Sequence, residues 1–229
     1  PLEGSSKFKD LILGDIAIDN KEFDDFIILR SDGSPTYNFC AAVDDMEMKI
    51  TTVIRGDDHI TNTLKQINVL DALGATIPSY AHLPMVLAES GKRLSKRDGA
   101  EDILDYKKKG YLNDALVNYL VRLGWSHGEE EIFSLEKLKK IFKLEDVNSS
   151  PSKYSQELLD WYNNKYLNFL TPEDLILKVK ENSGVDFNQI DKGKLAISLL
   201  AKGAHSLYQI AEESSYFFEE PQTKFDLLN

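Results

Sequence analysis

The stretch 91–99 contains four cations and one hydroxyl within six residues. The cations are Lys92, Arg93, Lys96 and Arg97, and the hydroxyl belongs to Ser95. Lysine offers a point charge and arginine a planar fork of donors, and both suit phosphate oxygens. Glycine at each end lets the backbone bend sharply and approach a ligand. These residues favour a loop that binds a triphosphate and stabilises the charge growing on its leaving pyrophosphate. A solvated basic patch is the alternative for any such cluster.

The residues before this loop predict a strand–helix–strand unit. The β-branched run 50–54 predicts a strand with Arg55 at its carboxyl end. Thr61 or Asn62 can cap the next helix. Its apolar face recurs at the helical period and consists of Leu64, Ile67, Leu70 and Leu73. The apolar run 83–88 predicts the second strand. Such a unit implies a parallel sheet, and ligands bind at the carboxyl edge of such sheets.

A second group of polar residues begins at Arg55. Its guanidinium can bind a carboxylate through two N–H groups, and a structural ion pair with Asp57, Asp58 or a neighbouring acid is an equal alternative. His59 could stack on a base or hydrogen-bond a nucleotide, although a plain surface histidine before a helix is more common. Tyr37 could reach the same pocket with its phenol, or it could belong to the core.

Composition narrows the class of protein. The chain of 229 residues has a net charge of -11 and one cysteine, Cys40, which excludes an intrachain disulfide and a cysteine-built zinc site. No apolar run reaches the length of a membrane span, and we expect a cytoplasmic protein without membrane association. The net charge opposes a nucleic-acid role. Positive charge nevertheless clusters at 92–97, 107–109 and 137–143, so that role is not excluded.

The pattern changes from mixed to helical along the chain. Strands are expected at 11–13 and 16–18, and Asp32-Gly33 between two β-prone runs, 26–30 and 35–39, predicts a hairpin. From Asp102 onward the pattern is helical. The expected helices of the chain include 38–46, 112–123, 155–168, 173–182 and 192–213. A polar break at 148–152 is a plausible domain joint. The fold class predicted is α/β followed by all-α.

Other chemistries lack their signatures. The four histidines have no helical i, i+4 pairing and Cys40 stands alone, so we predict no metal site within the chain. No Ser–His–Asp order suggests a triad, and the Walker A and dinucleotide glycine patterns are missing.

The motifs together resemble the bacterial-type glutamyl-tRNA synthetases, which are class I aminoacyl-tRNA synthetases. The stretch 92–97 resembles their second signature, the lysine- and serine-containing loop that closes over ATP. The other motifs that match in order and spacing are 35–39, 43–45, 53–60, 62–63, 110–112, 115–120, 123–125 and 159–163. Each motif is modestly specific, and their joint order, which covers nearly the whole chain, is highly specific.

The resemblance implies roles for matching residues. Arg55 would bind the side-chain carboxylate of L-glutamate, and Tyr37 would help to fix the amino acid. The pocket for ATP, which carries Mg²⁺, would be lined by Asp58, His59, Met85, Val86, Leu94 and Lys96. The residues that would stabilise the triphosphate as pyrophosphate leaves are Lys96, Arg93 and Ser95. Trp161 and Asn163 match the segment that joins the catalytic body to the tRNA-binding helices, where a packing role is the alternative.

The resemblance also divides the chain into four parts. Residues 1–34 would end an inserted acceptor-binding domain, and 35–100 would form the second half of a Rossmann-like catalytic domain. Residues 101–170 would form the helical stem-contact domain, and 171–229 the first helices of the anticodon-binding domain.

The chain departs from the family pattern at several points. The first signature, His-x-Gly-His, is absent, as are the usual zinc-bearing insertion and the last helical subdomain for the anticodon. Asp98 and Ala41 stand where relatives often have His and Asn, respectively. We therefore expect a fragment that does not activate glutamate by itself.

The activity implied for the full-length enzyme is that of a glutamate–tRNA ligase. It would be a cytoplasmic monomer that acts on L-glutamate, ATP and tRNA(Glu). Two alternatives stay open. One is a relative that charges tRNA with glutamine or charges a modified tRNA, and the other is a non-catalytic module that binds tRNA or a partner. The residues do not decide whether tRNA(Gln) is also charged.

Overall fold

The computed structural model describes residues 3–94 and 101–218, and the chain divides into two compact units. The first unit consists of Pro1–Leu87, Gly124–Ser126 and Ile141–Ser152. The second consists of Ala88–Leu123, His127–Lys140 and Lys153–Asn229. Within the described ranges, no helix has both the length and the apolar character needed to cross a membrane.

The first unit is built on a four-stranded mixed sheet in the order β2-β1-β4-β3. The strands are β1 (Ser5–Asp10), β2 (Gly14–Asp19), β3 (Thr52–Gly56) and β4 (Ser79–Leu83). β1 and β2 form an antiparallel hairpin, whereas β4 lies parallel to both β1 and β3. The β3–β4 register places Arg55 directly beside His82, so their side chains share one face of the sheet.

Two helices complete this part of the first unit, α1 (Tyr37–Glu47) and α2 (Ile60–Ala72). They pack together through Ala42, Val69 and Leu70, all buried. The order β3–α2–β4 with parallel strands confirms the predicted strand–helix–strand unit. The helix predicted at 38–46 is confirmed as α1.

Three local predictions for the first unit were wrong. Residues 11–13 form a turn, because Asp10 Oδ1 accepts the N–H groups of Ile12 and Leu13, both at 2.9 Å. The second parallel strand is β4, which begins at Ser79 and ends before most of the predicted run 83–88. Neither Thr61 nor Asn62 caps α2, since a 3₁₀ turn over Asp57–His59 leads directly into that helix.

The predicted hairpin around Asp32-Gly33 is present only as a turn. The Arg30 N–H donates to Ser34 O at 2.8 Å, and one bridge joins Leu29 to Pro35. Residues 37–39 are helical instead of extended, because α1 begins at Tyr37.

The remaining elements are short strands and helices. The two-residue strands are β5 (Val86–Leu87) and β6 (Ser152–Lys153). The helices are α3 (Ile103–Lys108), α4 (Asn113–Gly124), α5 (Leu135–Ile141), α6 (Gln156–Phe169), α7 (Pro172–Ser183), α8 (Gly193–Gly203), α9 (Leu207–Glu213) and α10 (Ser215–Phe218). The helices predicted at 112–123, 155–168 and 173–182 are therefore confirmed.

The segment 192–213 is two helices instead of the predicted one. α8 ends at Gly203, and α9 begins after Ser206, whose hydroxyl accepts the N–H of Gln209 at 3.1 Å. This capping bond satisfies an orphan N–H and starts a new helix where the apolar periodicity alone predicted continuation.

In the second unit, the helices α6, α7, α8 and α9 share an apolar core. Its fully buried members include Leu167, Val179, Phe187, Ile197 and Ile210. α7 begins with Pro172 at its first turn, and the Thr171 hydroxyl caps it by accepting the N–H of Asp174 at 3.1 Å.

Gly193 is a point where this core admits no side chain. A Cβ built there would lie 1.8 Å from Phe187 O, a backbone atom that cannot move alone. Gly193→Ala is therefore expected to lower the free energy of unfolding by about 1–3 kcal/mol or more, seen as a fall in the thermal midpoint. Gly203→Ala is the matched control, because no atom lies within 4 Å of its added Cβ at the other end of α8. Equal midpoints for the two variants would contradict this packing.

Candidate active site

Arg55 is the centre of a polar cluster at the carboxyl end of β3. Its guanidinium carbon lies 5.8 Å from the ring centroid of Tyr80, which β4 supplies. Arg55 Nη2 donates to Thr63 Oγ1 at 2.6 Å, and Nε donates to His82 Nε2 at 3.4 Å. Within residues 3–94 and 101–218, Arg55 forms no ion pair with a carboxylate. The alternative of a structural pair with Asp57 or Asp58 is therefore not what the structure forms.

The Tyr80 side chain is almost fully buried beside Arg55. Burial raises the pKa of Tyr80 to about 12, and Arg55 offsets part of that effect. Its hydroxyl has no hydrogen-bond partner among the residues that the structure describes. The phenol is thus neutral at physiological pH and does not compensate the charge of Arg55.

The charge of Arg55 also affects the pKa of Asp45 on α1. Burial raises the pKa of its carboxyl above the ordinary value of 3.8, Arg55 lowers it in part, and Asp44 adds to the rise. The folded chain therefore holds the Asp45 proton more tightly than the unfolded chain does. By linkage, stability falls as pH rises from 3.8 through the raised pKa, and the loss persists at neutral pH.

Asp45→Asn removes an ionisation that the fold opposes. We expect its thermal midpoint at neutral pH to rise by roughly 2 °C, the scale for less than 1 kcal/mol in a chain of this size. The gain should shrink as the pH is lowered towards 3.8, where Asp45 becomes protonated in both states. The control is Glu47→Gln, an exposed carboxylate on the same helix, which should leave the midpoint unchanged. A lower midpoint for Asp45→Asn at neutral pH would contradict this account.

Tyr37 and His59 lie together on the exposed side of the cluster. Their rings meet edge to face at 6.0 Å, and Tyr37 Oη lies 3.5 Å from His59 Nδ1. Asn62 Nδ2 approaches the same nitrogen at 3.2 Å. The phenol and the amide can both donate to His59 Nδ1. Tyr37 is 53% exposed, so the alternative of a core position was wrong for this residue.

A line of amides continues inward from Asn62. Asn38 Nδ2 donates to Asn62 Oδ1 at 3.4 Å, and Gln66 Nε2 donates to Asn38 Oδ1 at 3.2 Å. The side chain of Gln66 is buried, and its Oε1 has no partner within the described ranges. These contacts hold the first turns of α2 against α1. Tyr37 and His59 lie at the exposed edge of the cluster.

The predicted nucleotide residues fall into three groups. Asp58 is exposed in the 3₁₀ turn after β3, and Met85 and Val86 are half-buried at the end of the first unit. Arg93 is exposed and Leu94 half-buried in the second unit, after a turn in which Gly91 N–H donates to Ala88 O at 2.8 Å. Ser95 and Lys96 lie outside the described residues.

The two residues predicted to contact tRNA differ in their surroundings. Trp161 is 40% exposed on α6, with Lys165 Nζ 5.4 Å from its ring centroid. Asn163 is fully buried, and its amide is used internally: Oδ1 accepts from Leu112 N at 2.8 Å and Nδ2 donates to His205 O at 2.7 Å. The packing alternative therefore describes Asn163, and the contact prediction is corrected for that residue.

Sequence reasoning missed three residues of the Arg55 cluster: Asp10, Thr63 and His82. The signal available for His82 was the strand register, since a strand beginning at Ser79 pairs His82 with Arg55. Asp10 is 72 positions from His82 along the chain, and no local pattern joins them. Among the described residues, no group of three or more potential ligands could hold a metal ion.

The stretch of sequence that contains the Arg55 cluster matches the model of a known family. The family model described as "tRNA synthetases class I (E and Q), catalytic domain" matches residues 1–161, and the chain belongs to that family.

Curated relatives and a solved structure extend the match beyond the family model. The chain is 49% identical over 222 residues to a protein named glutamate–tRNA ligase 2 from Nitratiruptor sp.. It is 48% identical over 223 residues to one named glutamate–tRNA ligase from Nitrosospira multiformis. A crystal structure of a glutamate tRNA ligase from Elizabethkingia meningosepticum in complex with its amino acid has a TM-score of 0.84 at 30% identity.

These matches span most of this chain and part of each relative. They cover 97% and 95% of this chain for the two curated relatives and 48% of each of those proteins. The structural match covers 97% of this chain and 48% of that chain. The chain thus spans about half the length of the curated relatives it matches.

Proposed function

We propose that the full-length enzyme containing this chain is a glutamate–tRNA ligase. It converts L-glutamate and ATP into glutamyl-adenylate and pyrophosphate, and it then transfers the glutamyl group to the 3′ end of tRNA(Glu) with release of AMP. The observation that carries the proposal is the chemistry at Arg55, a guanidinium with neutral partners at the carboxyl end of β3. The names of the relatives at 48% and 49% identity support the same conclusion.

Arg55 binds the side-chain carboxylate of glutamate in this proposal. Its charge is not paired within the described chain, and two N–H groups can meet two carboxylate oxygens. Tyr37 fixes the amino acid from the exposed rim beside His59. Glutamine offers an amide in place of the carboxylate, so it loses the charge-assisted pair and is discriminated against.

The activation step transfers an adenylyl group. An α-carboxylate oxygen of glutamate attacks the α-phosphorus of ATP, the bond to the β-phosphate oxygen breaks, and pyrophosphate leaves with the electron pair. The protein groups for this step are Lys96, Arg93 and Ser95, whose donors stabilise the charge on pyrophosphate more than that on ATP. ATP binds together with Mg²⁺. The residues that contact the nucleoside of ATP are Asp58, His59, Met85, Val86 and Leu94.

The helical part of the chain binds tRNA in this proposal. Trp161 offers an exposed aromatic face with a lysine above it, a combination that stacks on bases and attracts phosphate. In the proposed division, the helical segment 101–170 contacts the acceptor-side stem and 171–229 begins the anticodon-binding part. The enzyme works in the cytoplasm as a monomer, and this chain without the rest of the enzyme does not activate glutamate.

Charging of tRNA tests this function. The full-length enzyme is incubated with ATP and radioactive glutamate or glutamine, and with tRNA(Glu), tRNA(Gln) or neither. We expect acid-precipitable label from glutamate on tRNA(Glu). Label from glutamine alone would favour a glutaminyl relative, and tRNA binding without any label would favour a non-catalytic module.

A further inference from the structure

A buried contact between an aspartate and a histidine lies behind Arg55. The side chains of Asp10 and His82 are both 0% exposed, and His82 Nδ1 lies 2.6 Å from Asp10 Oδ2. Asp10 Oδ1 accepts three backbone N–H groups, from Ile12, Leu13 and His82. Burial opposes ionisation of Asp10, but the bonds from Leu13, His82 and Ile12 outweigh it and hold its pKa below 3.8. Asp10 is therefore a carboxylate that can only accept.

This carboxylate decides the tautomer of His82. An acceptor at Asp10 Oδ2 requires the imidazole proton on Nδ1, so Nε2 of a neutral ring presents its lone pair. That lone pair faces Thr63 Oγ1 at 2.9 Å and Arg55 Nε at 3.4 Å. Arg55 Nε can only donate, so His82 Nε2 is the acceptor of that contact.

Thr63 completes the contact from α2. Its hydroxyl oxygen accepts from Arg55 Nη2 at 2.6 Å, and its proton can go to His82 Nε2 or to His59 O at 3.2 Å. The edge of the guanidinium that carries Nε and Nη2 is thus held by the Thr63 hydroxyl and the His82 imidazole, which both accept. Arg55 Nη1 has no hydrogen-bond partner in the parts of the chain that the structure describes.

We propose that Asp10, His82 and Thr63 are positioning residues that make Arg55 selective for a carboxylate. They fix the orientation of the guanidinium through neutral partners, so its positive charge and its Nη1 stay available for the substrate. A carboxylate in direct contact with Arg55 would have oriented it equally well but would have cancelled that charge. Asp10 acts through the imidazole instead, one ring away. The inference rests on the proposed function, since it specifies how glutamate is told from glutamine.

The test compares Thr63→Val with Thr63→Ser in the full-length enzyme. Valine keeps the shape of threonine and removes the hydroxyl, whereas serine restores the hydroxyl. Pyrophosphate exchange is measured with varied glutamate and with varied ATP in the presence of tRNA(Glu). We expect Thr63→Val to raise the glutamate KM by about 10-fold or more, the effect of losing a hydrogen bond to a charged group. The ATP KM should stay unchanged, and Thr63→Ser should recover most of the loss.

A second variant tests the tautomer directly. Asp10→Asn keeps the shape and keeps an oxygen for the three backbone donors, but its amide N–H₂ faces His82 Nδ1. The proton then moves to Nε2 and points at Arg55, which should raise the glutamate KM and change the ¹⁵N NMR shifts of His82. Asp15→Asn on the exposed face of β2 is the control and should change neither.

The outcomes separate this inference from the proposed function. An active wild type with an unaltered glutamate KM in Thr63→Val would overturn the inference alone. An equal rise in the ATP KM, or no recovery by Thr63→Ser, would show a structural role and would also overturn it. No glutamate-dependent exchange by the wild type would overturn the proposed function, and the inference with it.

Discussion

Arg55→Ala in the full-length enzyme is expected to raise the KM for glutamate by roughly 10²-fold or more. Removing one partner of a desolvated, hydrogen-bonded charge pair costs about 2–5 kcal/mol, which corresponds to roughly 30-fold to several thousand-fold. The ATP KM should change little, because the contacts that the structure describes for Arg55 are with Thr63, His82 and Tyr80 of the first unit. Initial rates of pyrophosphate exchange at varied glutamate measure the effect.

Two further variants make the assignment specific. Arg55→Lys keeps the charge but loses the planar fork, so it should lie between wild type and alanine. Arg30→Ala is the control, since Arg30 is exposed in the turn at Asp32-Gly33 and donates to Ser34 Oγ. An unchanged glutamate KM in Arg55→Ala would remove Arg55 from substrate binding.

Lys96→Ala is expected to lower the rate of glutamate activation by roughly 10²–10³-fold, the range for loss of one donor to a transition-state charge. The loss should fall on kcat, because the lysine engages the departing pyrophosphate more strongly than it engages ATP. Exchange at saturating ATP and glutamate measures it. The control is Lys7→Ala, an exposed lysine on β1. A Lys96→Ala enzyme within about threefold of wild type would exclude the lysine from the mechanism.

Much of the first unit could be predicted from local patterns. The β-branched run before Arg55 and the helical period after it led to β3 and α2, and these two elements with β4 form the parallel unit. Arg55 was placed correctly because its strand end follows directly from that run. Such signals depend only on neighbouring residues, so they can be read without knowledge of the rest of the fold.

The position of β4 could not be predicted in the same way. The strand Ser79–Leu83 contains His82, a polar residue that pattern rules do not bury. It is buried because Asp10, far away along the chain, accepts its proton at 2.6 Å. The same carboxylate turns the chain at 11–13, where an apolar run predicted a strand. One buried acid thus accounts for two of the errors.

The start of α2 shows a similar limit. Thr61 and Asn62 were the predicted caps, but the 3₁₀ turn over Asp57–His59 leads directly into α2, and Asn62 Nδ2 bonds to His59 Nδ1 instead. In the second unit, Asn163 was assigned to a surface because its motif lies near tRNA-binding helices. Its partners, Leu112 N and His205 O, come from distant parts of the chain.

We propose that the Arg55 cluster and the basic stretch 91–99 belong to an enzyme that activates glutamate. Glutamate-dependent exchange of pyrophosphate into ATP, measured with tRNA(Glu) present, tests it most directly. The account predicts exchange by the full-length enzyme with glutamate, none with glutamine, and none by this chain alone. A folded full-length enzyme that gives no exchange with glutamate would contradict it.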